Sequence, residues 1–360
     1  MQREQRKLEH IKYALELGDG PATTHFADLK FIHNCLPEIN PADIDISVKL
    51  LGKRLRLPFF IDAITGSTDA VTDINRKLAQ VAEACGIGLA VGSQYGAVCQ
   101  GTGVASYKVV REEAPHGLVI ANMSAFVSYE QALAAVDMLE ADALELHLNA
   151  AQELVMAEGD KNYAGLLKNM HRIFQDLPVP IIIKETGCGM AKEQYQQLLD
   201  AGFYVFNCAG AGGTNFPVIE AKRSGAVLGE DFAAWGLPTC WSLIDGQCVI
   251  PKKHCLLASG GIRTAGDIAK AFALGADAVG ITGPVLRLVI EESVAKAIAY
   301  FEELAEGLMQ YMLILGCKHP YELRKVPLII DGATRNYLDC RGYDVAALCK
   351  ARNRQICGFC

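Results

Sequence analysis

From Pro58 onward the chain alternates short apolar runs with amphipathic ones. Apolar runs at residues 59–63, 88–92, 118–122, 143–148, 180–184, 204–208, 255–259 and 278–281 read as strands, and the helical periodicity of 69–85, 128–139, 162–174, 192–201 and 264–274 reads as the helices between them. A strand that is apolar throughout must be covered on both faces, which implies a parallel sheet. Eight such units in series predict an α/β chain folded as a single (β/α)8 TIM barrel, with its chemistry on the loops at the carboxyl ends of the strands. The rival is a doubly wound open sheet. It is disfavoured because no GxGxxG turn follows the first strand, and because polar groups follow nearly every strand instead of gathering at one switch point.

Residues 1–57 read as an amino-terminal segment that opens on a short basic helix, 3–17, and continues in a loop dense in Gly, Pro and Asn. Residues 58–345 read as the barrel, with 321–344 covering it, and 346–360 as a tail. Hydrophobic residues make up 51% of the 360 positions, which is ample for a large core. A net charge of −7 argues against a nucleic-acid surface driven by overall charge, but leaves room for a local phosphate site. No run approaches the roughly 18 apolar residues of a membrane span, and MQREQRKLEHIKY lacks a signal-peptide core, so a cytoplasmic location is expected. Thirteen cysteines scattered through apolar segments read as small buried hydrophobes of a reducing compartment. Cys357 and Cys360 form a CxxC without a second pair, which is weak evidence for a metal.

The densest chemistry lies in DALELHLNAAQELVMAEGD, residues 142–160. Its strand ends in His147, Asn149, Gln152 and Glu153, and buried polar groups cost free energy unless something partners them. The fourth strand therefore reads as one that delivers a site. Around it the other strand ends supply Thr65, Ser93, Asn122, Lys184, the turn GAGGTN with Thr214, the turn SGGIR with Gly261 and Arg263, and Thr282-Gly283. Glycine-rich turns leading into helices let backbone N–H groups approach a phosphate, and such barrels hold one between the last loops. Lys184 closes the run PIIIKE, where a cation needs a partner: either a ligand or Glu185. Glu153 suits a hard cation such as Mg2+ better than zinc. Cys188 has no histidine near it in sequence, which argues against a nucleophile.

RKLEHI at 6–11, DAITGS at 62–67, VGSQ at 91–94, HLNAAQE, EGDKNY at 158–163, KETGCGM at 184–190, GGTNF at 212–216, WGLPT at 235–239, SGGIR and LRKVPLIIDGATR at 323–335 together resemble the type 2 isopentenyl diphosphate isomerase family, in order and spacing. The resemblance implies an FMN-dependent barrel that interconverts isopentenyl and dimethylallyl diphosphates by a 1,3-proton shift. The reduced flavin would act as acid and base, NADPH as reductant and Mg2+ as a bridge to the diphosphate. By matching positions, Thr65, Ser93, Asn122, Lys184, Thr214, Gly261, Arg263, Thr282 and Gly283 would hold FMN. Arg6, Lys7, His147, Asn149 and Gln152 would face the substrate, with Gln152 beside the reacting carbons, and Glu153 would bind the metal. A homo-oligomer, tetramer or octamer, is implied as well. Three positions depart from the family pattern. Tyr95 stands where many members carry a basic residue, so one diphosphate contact is missing or supplied elsewhere; Leu8 replaces a usual acid, and Thr65-Gly66-Ser67 replaces TGG.

Overall fold

Strands Phe59–Ile61, Gly88–Ala90, Val119–Ser124, Ala143–Leu148, Ile181–Glu185, Val205–Asn207, Cys255–Ala258 and Ala278–Gly280 pair in parallel, each with the next, and the last closes on the first. They are numbered here as barrel strands 1 to 8. The computed structural model describes residues 2–64, 66–346 and 348–349, and side chains among them from residue 7 onward. Four of the strands are buried at every residue, as a sheet covered on both faces requires. Each fully buried side chain such as Phe59, Phe60 or Ile61 contributes about 1.5–3 kcal/mol. The predicted helices are present, with their starts set by side-chain caps. Ser128 and Gln131 form a capping box before Tyr129–Leu139, and Thr264 and Asp267 do so before Ala265–Ala273.

Three parts of the chain were read too coarsely from sequence. The connection after strand 2 holds helices Tyr95–Gln100 and Ala105–Glu113, and the stretch after strand 6 holds Phe216–Ser224, Glu230–Ala233 and Thr239–Val249. Within residues 1–57, strands Val48–Leu50 and Lys53–Leu55 form a hairpin at the end of the barrel opposite the strand carboxyl termini. There Arg56 N–H donates to Gly86 O at 2.8 Å, Lys53 Nζ to Gly117 O at 3.2 Å, and Lys53 pairs with Asp142 at 3.0 Å, all in the turns that lead into strands 2 to 4. The stretch expected to cover the barrel instead lies on its flank. Strand Leu328–Ile330 pairs with Leu29–Phe31, and helix Gly332–Cys340 packs on Thr239–Val249, where Trp241 stacks on Tyr337 with centroids 4.3 Å apart.

The rest of the amino-terminal segment runs over the other end of the barrel. Helix Gln2–Leu17 rests on Phe216–Ser224, and its Ile11 packs with Val71 and Leu286. Beyond it the chain crosses the glycine turns, where Gly20 N–H donates to Gly213 O at 2.9 Å and Thr24 O accepts from Cys240 N–H at 3.0 Å. Among the described residues, no helix is long and apolar enough to cross a membrane.

Candidate active site

The carboxyl ends of the strands surround two joined cavities. The larger, about 320 Å³, is lined by Lys7 and His10 from the amino-terminal helix, Ser93 after strand 2, Asn122 on strand 3, His147, Asn149, Gln152 and Glu153 from strand 4 and its loop, and Lys184 on strand 5. The smaller, about 70 Å³, is lined by Thr214, Gly261, Arg263, Thr282 and Gly283. Lys184, Ala63, Ile64, Thr186 and Phe216 line both. The residues singled out from sequence thus divide into a polar chamber and a glycine-walled annex. The side chain of Arg6, all of Thr65, and Cys357 and Cys360 lie outside what the structure describes.

The floor of the chamber is a buried polar network that crosses the barrel. On strand 4, Glu145 and His147 are two residues apart and share the inward face. Glu145 has no exposed surface; its Oε2 accepts from Asn122 Nδ2 at 2.9 Å and its Oε1 from Asn207 Nδ2 at 3.4 Å. Asn207 Nδ2 also lies 3.3 Å from Asp62 Oδ2, and its Oδ1 accepts from Ser259 Oγ at 2.8 Å. His147 Nδ1 lies 2.8 Å from Asn122 Oδ1. Burial lifts the Glu145 carboxyl to about 8, helped by Asp62 and opposed by Lys184 and the two amides.

Lys184 resolves the choice left open by its sequence. Its ammonium pairs with Asp62 at 3.2 Å and donates to the backbone carbonyl, not the carboxylate, of Glu185 at 2.8 Å. Burial works against the charge, but Asp62 and Glu145 outweigh it and raise its pKa, so Lys184 stays cationic beneath both cavities. His147 is the reverse case. Burial, then the cations Lys7 and Lys184, push its pKa down to about 3, so its imidazole is neutral and brings no positive charge to the chamber. Burial, then Glu185, push the Cys188 thiol up to about 12, which keeps it protonated.

A second network holds the loop after strand 4. Asn149 Nδ2 donates to Glu153 Oε1 at 2.7 Å and to Gln152 Oε1 at 3.2 Å, while Asp160 N–H donates to Glu153 Oε2 at 2.8 Å. Gln152 Nε2 donates to Glu220 Oε1 at 2.9 Å, an oxygen that also lies 2.7 Å from His10 Nε2; Arg223 Nε donates to Glu220 Oε2 at 2.7 Å. Burial alone would raise the Glu220 carboxyl, but His10, Gln152 and Arg223 prevail and hold it down near 2. Glu220, His10, Asp62, Glu145 and Asn207 were all missed from sequence. Glu145 and Asp62 carried a signal, since each is an acid within a strand run; Glu220 sits on an ordinary helical surface pattern and carried none.

The annex has the build of a phosphate cradle. Gly260 and Gly261 take φ of +100° and +70°, and an added Cβ would stand 2.1 Å from Gly210 O and Gly212 O respectively, so only glycine fits. Helix Gly283–Glu291 starts there, and a Cβ on Gly283 would find Arg263 Nη2 at 3.7 Å and Thr214 Oγ1 at 3.9 Å. A helix amino terminus, a guanidinium and a hydroxyl therefore converge on one point, the donor set a phosphate requires. The Arg263 guanidinium is also gripped by both oxygens of Asp19. Thr282 donates its hydroxyl to Asp62 O at 2.8 Å, so that hydroxyl braces the floor.

Comparison with known proteins agrees with this geometry. Residues 237–329 match the FMN-dependent dehydrogenase family. The chain is 41% identical over 345 residues to the isopentenyl-diphosphate delta-isomerase of Geobacillus sp. (strain WCH70), covering 96% of this chain and 98% of that one. It is 37% identical over 359 residues to the same enzyme of Methanopyrus kandleri, covering 97% and 98%. Among solved structures it is similar to a lactate oxidase from Pediococcus acidilactici, with a TM-score of 0.66 and 17% identity over 91% of this chain and 93% of that one. It is similar too to a mandelate oxidase variant, with a TM-score of 0.62 and 16% identity over 91% and 98%. At such identity these two speak for the fold alone.

Proposed function

This chain belongs to the isopentenyl-diphosphate delta-isomerase family, and from that premise we propose that it interconverts isopentenyl and dimethylallyl diphosphates with FMN in its reduced form, Mg2+ on the diphosphate and NADPH as the source of reducing equivalents. The observation that carries the reading is the junction of the two cavities at Lys184. A phosphate cradle on one side meets, across a buried cation, a chamber walled by Lys7, His147, Asn149, Gln152 and Glu153.

The residues fit FMN. Thr214, Gly261, Arg263 and the start of the helix at Gly283 would hold its phosphate, Ser93 and Asn122 would bind its polar ring edge, and Lys184 would face it as a cation. Thr282 would contribute through its backbone, and Thr65 and Arg6 stand in the proposal on their sequence match. When bound, reduced FMN supplies an electron-rich ring that stabilises positive character on an alkene and exchanges a proton with it. The chain's own residues do the rest. Lys7, with Arg6, neutralises diphosphate charge, and Glu153 offers one carboxylate to a hard cation that completes its shell with water and phosphate oxygens. Gln152, tied to Glu220, holds its amide beside the reacting carbons, and Phe126, Val127, Met156 and Phe216 keep that part of the chamber apolar. Binding energy gathered at the diphosphate is thereby available to orient a small, otherwise featureless alkene.

A 2-hydroxy-acid oxidase shares the barrel but needs a histidine base after strand 7, where this chain has Ser259-Gly-Gly-Ile-Arg263. Purified protein given isopentenyl diphosphate, FMN, Mg2+ and NADPH or dithionite should form dimethylallyl diphosphate, and omission of the reductant should abolish the product. Glu153→Gln should raise the Mg2+ concentration needed for half-maximal rate by roughly tenfold, the loss of one charge-assisted contact. Equal rates with oxidised and reduced flavin would refute the reading.

A further inference from the structure

We propose that Glu145 is a positioning residue for His147: acting through Asn122, its carboxyl group fixes His147 as the Nδ1–H tautomer and turns the bare Nε2 lone pair toward the chamber. The three groups form a chain set by strand register. Asn122 lies beside Glu145 on the neighbouring strand, and His147 follows two residues later on the same face. The contacts are Glu145 Oε2 to Asn122 Nδ2 at 2.9 Å and Asn122 Oδ1 to His147 Nδ1 at 2.8 Å.

The inference turns on what an amide can do. One end of Asn122 only donates and the other only accepts, so the group that claims one end dictates what must stand at the other. Glu145 Oε2 claims the donor end. Asn122 Oδ1 therefore needs an N–H from His147 Nδ1, and a neutral imidazole protonated there carries no hydrogen on Nε2. Neutrality follows from the surroundings of the ring, which are its own burial and the cations Lys7 and Lys184.

Protonation of Glu145 leaves this order intact. The charged groups that face Glu145 are Asp62 just after strand 1 and Lys184 on strand 5, with the amides of Asn122 and Asn207 beside them. Glu145 Oε1 and Asp62 Oδ2 converge on Asn207 Nδ2, at 3.4 and 3.3 Å, so a proton on Oε1 lies on the side of a second carboxylate. Glu145 Oε2 then remains an acceptor in both charge states, and the tautomer of His147 does not change with pH in the neutral range.

The consequence for the ligand rests on the isomerase reading. An ionised phosphate oxygen has lone pairs only and cannot partner a bare Nε2. His147 must therefore meet the diphosphate through a hydrogen brought by the ligand side, for which water on a cation held at Glu153 is the group of the right chemistry.

The test needs no turnover. Long-range 1H–15N spectra of the full-length protein labelled with [15N]histidine, assigned with His147→Gln, report which ring nitrogen carries the hydrogen. Wild type should show the Nδ1–H pattern alone from mildly acidic to mildly alkaline pH. Glu145→Gln, an isostere of the protonated acid, should keep that pattern, and Glu145→Leu should give comparable amounts of both tautomers. Nε2–H in the wild type would overturn the proposal, as would a wild-type pattern in Glu145→Leu. Should Glu145→Leu not fold, the wild-type spectrum still decides. Failure of the isomerase reading would appear separately, as absence of product, with the tautomer unaffected.

Discussion

Gln152 donates its amide to the carboxylate of Glu220 at 2.9 Å, and that carboxylate has no exposed surface. The bond fixes which end of the amide faces the chamber, because Glu220 can only accept. Hydrogen bonds to charged groups contribute about 1.5–3 kcal/mol, and on the proposed reading Gln152 acts only at the reacting carbons, so its loss of position falls on kcat. Glu220→Gln should therefore lower kcat roughly 10- to 100-fold while KM for the diphosphate changes little. Steady-state kinetics with reduced FMN measures the split, and an unchanged kcat would remove Glu220 from the positioning of Gln152.

The same carboxylate should dominate acid stability. Its folded pKa of about 2 lies below the ordinary 4.5, so the stabilisation is fully present above 4.5 and is lost as pH falls toward 2. The shift corresponds to on the order of 3 kcal/mol. Urea unfolding at a series of pH values should show wild type losing stability across that window and Glu220→Gln losing markedly less. Parallel curves would place the acid sensitivity elsewhere.

His147 acts in the same direction but begins to do so at higher pH. Its folded pKa of about 3 is depressed below 6.5, so between those values the unfolded chain binds a proton that the folded one does not. Stability should fall as pH drops below 6.5, and His147→Gln should flatten that part of the curve. A variant that keeps the wild-type slope would show that the ring is charged in the folded protein.

The barrel, and most of the residues that line its candidate site, were legible because the evidence for them is local. Buried parallel strands are apolar runs, and polar residues at their ends, such as Asn122, Asn149 and Lys184, have few other reasons to be there. What stayed hidden depends on contacts distant in sequence. Glu220 meets His10 across 210 positions, and nothing in the pattern of helix Phe216–Ser224 marks it. The partner of Lys184 proved to be Asp62, at the end of strand 1 on the opposite side of the barrel, where sequence offered only the adjacent Glu185. The hairpin Val48–Leu50 with Lys53–Leu55 is too short to show a period.

Lys184 separates two roles in one side chain. Replacing it by Met leaves Asp62 and Glu145 buried without their cation, which should cost roughly 3–5 kcal/mol. Adding Asp62→Asn removes the stranded carboxylate that Lys184 had paired and should restore most of that loss. If Lys184 faces the cofactor as proposed, FMN affinity should stay weak in the double variant, because that cation is still missing. Chemical denaturation and FMN titration on both variants test this, and recovery of both properties together would make Lys184 a structural partner only.

Asp19 stands where an anion would be bound. Its carboxylate grips the Arg263 guanidinium at the annex, and the two side chains are 42% and 28% exposed. An ion pair this open to solvent contributes little to stability, on the order of 0–1 kcal/mol. A phosphate arriving at Thr214, Gly283 and Arg263 must, however, share the guanidinium with a like charge, and that repulsion acts at short range. Asp19→Asn should leave the melting temperature nearly unchanged and tighten FMN binding by about 2- to 5-fold at low ionic strength, an advantage that shrinks as salt screens the charge. Arg263→Ala should weaken binding by roughly 10- to 100-fold, since a charged donor to the phosphate is lost. Fluorescence titration of FMN at two salt concentrations separates the cases. Weaker binding in Asp19→Asn would mean that the carboxylate holds Arg263 in place for the phosphate instead of competing with it.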